Sequence, residues 1–145
     1  MNARRMVLSA ALAALLAAPL SGAIAQTAGA DKPHKVVFQV SDADPAKWNL
    51  ALNNARNVQQ DLGADKVAAE IVVYGPGIGM LKMDSVAGTR VTQALSDGVS
   101  VVACENTMKA QKLAHADMLK DIGYVPAGVT TLMQRQKEGY SYIRP

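Results

Sequence analysis

The chain is poor in the residues that most often carry chemistry. It has one cysteine, Cys104, so no intramolecular disulfide can form. It has two histidines, His34 and His115, and no clustered ligand spacing, which argues against zinc or copper. No G-x-S-x-G is present, so a serine hydrolase has no support. Aromatic residues make up 4% of the chain, and no basic patch interleaves with them, which argues against nucleic acid as a partner. The only long apolar run, Met6–Leu20, is shorter than the ~20 residues a membrane-spanning helix needs. Nothing calls for a metal or an organic cofactor.

That apolar run has another reading. Arg4 and Arg5 precede it, and Ala23-Ile24-Ala25 is a small-x-small cleavage site before Gln26. Together they predict a secretory signal peptide over residues 1–25, and so an exported, periplasmic protein with no membrane attachment after cleavage. The Arg pair also fits a twin-arginine signal, although Ala3 stands where Ser or Thr would strengthen it; the ordinary secretion route is favoured. Residues 26–33 read as a flexible leader, and residues 34–145 as one domain. The formal charge of +3 falls to +1 once Arg4 and Arg5 are removed.

The remaining sequence alternates strand and helix. His34–Val40 reads as a first strand. Asp44-Pro45 signals a helix start, and Trp48, Leu52, Ala55 and Leu62 continue it to Gly63. Lys66–Tyr74 reads as a second strand, running into a loop, Gly75-Pro76-Gly77-Ile78-Gly79. A short helix is predicted over 85–96, with Val86, Val91 and Leu95 apolar, then a central strand Val99–Cys104. A third helix is predicted from Asn106 to Asp121, because Ala110, Ala114, Met118 and Ile122 recur at a spacing of four. An edge strand over Tyr124–Val129, interrupted by Pro126, a helix over Thr130–Glu138 and a strand Tyr140–Ile143 complete the order. This is an α/β pattern: a three-layer α/β/α sandwich on a mostly parallel sheet of about five strands.

Cys104 is the candidate catalytic residue. It ends an apolar strand and precedes the polar run Glu105-Asn106-Thr107 at a helix start. Carboxyl ends of parallel strands collect function, and a helix N-terminus favours a thiolate. Backbone N–H groups around Asn106 and Thr107 are placed to stabilise the anion. Burial opposes this, but the polar run puts the sulfur near the rim, so a thiol pKa below the ~8.5 of free cysteine is expected. The bland reading is a buried cysteine that only packs. Gly75, Gly77 and Gly79 are candidate binding residues lining the same rim. The glycine run lacks a GKS or GKT ending, and a plain connecting loop explains it better than a phosphate loop. Asp42 and Asp44 stand at the end of the first strand, where helix capping is the simpler role.

Several motifs in this order resemble the DsrE/DsrF family, the sulfur-relay and YchN-like small α/β proteins. They are Leu52-x-Asn54-x-x-Asn57, Ile71-Val72-Val73-Tyr74-Gly75-Pro76-Gly77, Val101-Val102-Ala103-Cys104-Glu105-Asn106-Thr107-Met108, Val125-Pro126-Ala127-Gly128-Val129, and Gly139-Tyr140-Ser141-Tyr142-Ile143-Arg144-Pro145. The resemblance implies a DsrEFH-like sandwich and a homotrimer or homohexamer. It also implies a sulfur-carrying persulfide on Cys104, exchanged with a sulfur donor or acceptor protein or a small sulfur compound. Relay members work in the cytoplasm, whereas this chain carries an export signal. The competing reading is a non-catalytic module that binds a small ligand at the rim or serves as an oligomeric scaffold.

Overall fold

The computed structural model describes residues 32–145, so the expected signal peptide and most of the leader lie outside the described residues. Five strands form one sheet: β1 (His34–Val40), β2 (Val67–Val73), β3 (Ser100–Cys104), β4 (Gly123–Val125) and β5 (Ser141–Ile143). Every pairing is parallel, and the order is β4-β3-β2-β1-β5. The central strand is therefore β2, not the cysteine-bearing β3 expected there. The reason is topological: β5 returns to the far side of β1, which moves the middle of the sheet by one strand.

The four helices are α1 (Pro45–Leu62), α2 (Gly88–Ser96), α3 (Glu105–Ala110) and α4 (Gly128–Lys137). Period-two alternation in the strands divides them between two faces. Val36, Phe38, Val40, Ile71, Val73, Val101 and Ala103 pack in one core with Trp48, Leu52 and Ala55 of α1, Val91 of α2 and Met108 of α3. Val37, Val72 and Val102 point the other way, onto Leu132 of α4. The result is the expected three-layer sandwich, with its faces unequally covered. Phe38, the chain's only phenylalanine, is fully buried.

Local signals explain the ends of α1. Asp44 accepts a hydrogen bond from Ala46 N–H at 2.8 Å, Pro45 occupies the first helical position, and Gly63 leaves with φ +92°. The stretch Gly75–Leu81 is a 3-10 turn rather than an open loop. A Cβ on Gly77 would lie 2.7 Å from the Val40 carbonyl oxygen, so only glycine lets this turn close on the end of β1.

The third helix is much shorter than its spacing suggests. Lys112 takes the left-handed conformation, φ +56°, and Leu113 N–H reaches back to Met108 C=O at 2.9 Å. Asp117 then accepts from Ala114 N–H at 2.8 Å and opens a separate turn, His115–Asp117. Ala110 and Ala114 are exposed, so the row of four was not an apolar face. Val86 likewise precedes α2 and is 80% exposed. Among the described residues no helix is long and apolar enough to cross a membrane.

A buried ion pair pins α4 to the sheet. The Glu70 side chain, on β2, is 5% exposed, and the Arg135 guanidinium grips its carboxylate through Nε and Nη2 while Nη1 binds Glu138 at 2.9 Å. Hydrogen bonding to Glu70 holds Arg135 firmly charged, above its ordinary pKa. Removing one partner strands the other charge, whereas removing both replaces the pair with apolar contact. Arg135→Met is therefore expected to lower unfolding stability by about 3 kcal/mol, with Glu70→Leu/Arg135→Met recovering most of it. Urea denaturation of the three proteins checks this. An Arg135→Met protein as stable as the parent would contradict it.

Candidate functional site

Cys104 is the last residue of β3, and its Cα partner on β4 is Val125. After β3 the chain turns into α3, on the larger core; after β4 it turns into α4, on the opposite face. Adjacent strands whose following helices diverge create a crevice at their carboxyl ends, the usual place for ligands in open α/β sheets. Cys104 ends β3 at that point, buried, with the first turns of two helices beside it.

One N–H bonds the sulfur, and further polar groups of α3 stand near it. Gly128 N–H, at the start of the ten-residue α4, donates to Sγ at 3.3 Å. The Thr107 hydroxyl, the Thr107 N–H and the Asn106 N–H stand near the sulfur and lower its pKa, without capping it at hydrogen-bonding geometry. Asn106 N–H is directed to Pro126 C=O at 3.2 Å. The Thr107 oxygen accepts from Gly75 N–H at 2.9 Å, which leaves its single proton to point away from Gly75. Gly75 adopts φ +54°, a conformation that presents this N–H.

Burial is the largest single influence on the thiol and pushes its pKa up, because Cys104 is only 4% exposed. The Thr107 hydroxyl and the Gly128, Thr107 and Asn106 N–H groups push the other way. Together they outweigh burial, and the pKa lies below the ordinary 9.0. The following carboxylate does not interfere. Glu105 faces His115 Nε2 at 3.5 Å, and the His115 ring stacks on Tyr124 at 3.8 Å between centroids. The sulfur is thus donor-rich, as the polar run implied, but it lies under the first turn of α4 rather than at an open rim.

The structure gathers Cys104, Asn106, Thr107 and Gly75 into one site. Gly77 and Gly79 lie elsewhere: the first packs against Val40 and Ser41, the second at Cβ distance 3.3 Å from the Trp48 ring. Asp42 accepts from Lys47 and Arg144, with its backbone carbonyl on Trp48 Nε1 at 2.7 Å, a structural role. Sequence reasoning missed two members. The Thr107 hydroxyl was hidden behind attention to its N–H. Gly128 lies 24 residues from the thiol, and a Cβ there would sit 3.0 Å from the Tyr74 ring. The run Pro126-Ala127-Gly128, just after a strand, was the available signal.

These contacts set the behaviour of the thiol with pH. A folded pKa below the unfolded one means that thiolate formation stabilises the fold above the unfolded value, and that this contribution is lost as pH falls through the folded value. Thr107→Val removes the hydroxyl donor at nearly constant volume and should raise the thiol pKa, while Thr107→Ser should hold it near the parent's. Ultraviolet titration of the thiolate reads both. A Thr107→Val titration that overlays the parent's would remove the hydroxyl from the account.

The fold and site can be set against known proteins. The profile of the DsrE/DsrF-like family matches residues 34–145. The chain is similar to the solved structure of MTH1491, a protein of unknown function from Methanobacterium thermoautotrophicum, at 35% identity and a TM-score of 0.73, over 77% of this chain and 99% of that one. BT1422 of Bacteroides thetaiotaomicron, a conserved protein of unknown function, shares the fold at 16% identity and a TM-score of 0.62, over 81% of this chain and 97% of that one. No curated protein matches. With one profile spanning every described strand and helix, the chain belongs to the DsrE/DsrF-like family.

Proposed function

We propose that the protein is a sulfur carrier that holds a persulfide on Cys104. The observation that supports this most is the set of polar groups around the chain's only thiol, which favours its anion despite burial. The Cys104 thiolate attacks the outer sulfur of a donor persulfide. A new S–S bond forms on Cys104, the donor's S–S bond breaks, and the donor leaves as a thiolate. The reverse attack by an acceptor thiolate discharges the sulfur, so the exchange needs no oxidant. Thr107 and the first turn of α4 stabilise each anion as it forms. With Cys104 4% exposed, transfer requires a small donor or displacement of the Pro126–Gly128 turn.

That same burial favours the second reading, a binding or scaffold module in which Cys104 only packs. Mass spectrometry separates the two. Incubation with a small persulfide donor should add one sulfur atom to the native protein and none to Cys104→Ser. An unmodified native protein under those conditions would favour the module. The same spectrum of protein from its native cell should show a chain starting at Gln26, as export to the periplasm requires.

We further propose a homotrimer or homohexamer. Val129 and Met133 stand one turn apart on α4, 55% and 56% exposed, and give the helix an apolar outer stripe. Sedimentation should show an assembly of three or six chains, and Met133→Lys should weaken it. A parent protein that sediments only as a monomer at micromolar concentration would refute this.

A further inference from the structure

A second polar groove lies far from the thiol. It runs along the seam between α1 and α2, encloses about 460 Å³, and has Leu52 and Val99 in its floor. Val99 precedes β3, so the groove opens at the opposite end of that strand from Cys104. Its size is in the range of small-molecule sites.

Two arginines line it, and neither has a carboxylate partner among the described residues. Arg90 is held from α2 against α1 by two neutral acceptors, Asn49 Oδ1 at 2.5 Å and Asn53 Oδ1 at 2.6 Å. Those asparagines sit at i and i+4, one above the other on α1, so both reach the same guanidinium. They fix its position without neutralising its charge. Arg56 makes no side-chain hydrogen bond among the described residues, and its charge is equally uncompensated.

The groove also holds an unusual acceptor. Gln59 is 7% exposed, and its amide nitrogen donates to Asp97 C=O at 2.9 Å. Its carbonyl oxygen has no partner among the described residues, yet no fully enclosed side-chain oxygen there lacks one. That oxygen is therefore reachable, and Gln59 is one of the residues lining the groove. The one acid in the groove, Asp97, already accepts from Gln93 Nε2 at 2.9 Å. Two cationic donors, a reachable unpaired acceptor and an apolar floor make a complementary set. They match a small organic acid with a carboxylate, a neighbouring hydrogen-bond donor and a short hydrocarbon tail.

We propose that the α1–α2 groove binds a small 2-hydroxy or 2-amino carboxylic acid. Arg56 and Arg90 take the carboxylate, Gln59 accepts from the hydroxyl or amino group, and Leu52 and Val99 receive the tail. The site is independent of the thiol and does not rest on the sulfur-carrier reading.

The test is a backbone and arginine side-chain NMR titration of the folded protein. The probe is 2-hydroxy-4-methylpentanoate, with 4-methylpentanoate and inorganic phosphate as controls. The hydroxy acid should give saturable shifts confined to α1, α2 and Val99, with binding roughly tenfold weaker for the acid lacking the hydroxyl and for phosphate. Arg56→Gln, which breaks no hydrogen bond or ion pair among the described residues, should weaken binding at least about tenfold, and Arg90→Gln likewise. No saturable shift up to about 10 mM would overturn the proposal, as would equal binding of phosphate or shifts unchanged in Arg56→Gln.

Discussion

Gly128 N–H meets Cys104 Sγ at 3.3 Å, and much of the molecule is arranged so that it can. The contact needs β3 and β4 side by side, so that the chain leaving β4 passes over the end of β3. It needs α4 on the opposite face from α3, which the return of β5 to β1 provides. It needs glycine at 128, because the Tyr74 ring already fills the space a Cβ would take. The Glu70–Arg135 pair and Leu132 hold the rest of α4 against the sheet. A strand pairing, a crossover and one missing methyl group thus decide what surrounds the only thiol.

The thiol itself is a balance between burial and hydrogen bonding. A cysteine at the end of a valine-rich strand, under a helix, loses water and is pushed toward the neutral form. Each N–H or O–H aimed at the sulfur restores part of what water supplied. In this chain Gly128 N–H bonds the sulfur, and the nearby Thr107 hydroxyl and the Asn106 and Thr107 N–H groups of α3 also lower the thiol pKa. The Gly75 N–H behind Thr107 holds the Thr107 oxygen in place as an acceptor.

The parts of this arrangement differ in how far the sequence shows them. The helix α1 was legible because its start and end carry their own chemistry, Asp44-Pro45 and Gly63. The end of α3 was not, because Lys112 turns left-handed with neither glycine nor proline to mark it. A row of alanines then extended the pattern over residues that face water. The positions of β1, β2 and β3 were legible from their β-branched runs. The expected strand Tyr124–Val129 is cut to Gly123–Val125 before Pro126, with Gly128 and Val129 already in α4. The rank of β3 was not legible, since strand order is decided by pairings between distant segments. Around Cys104 the near neighbours Asn106 and Thr107 could be named at once, because a strand end followed by a helix start places them there. Gly128 comes to the sulfur only through tertiary packing, and Gly77 and Gly79, next to Gly75 in the chain, turn toward β1 and Trp48 instead.

The central claim is that Cys104 is an activated thiol held under a thin cover, not an inert core residue. The pH dependence of its alkylation by iodoacetamide tests this most directly, measured on the native protein and on the same protein unfolded in denaturant. The predicted result is reaction in the folded state, with a midpoint below that of the unfolded chain and below the ordinary 9.0. Modification only after unfolding, or a native midpoint at or above the unfolded one, would contradict it.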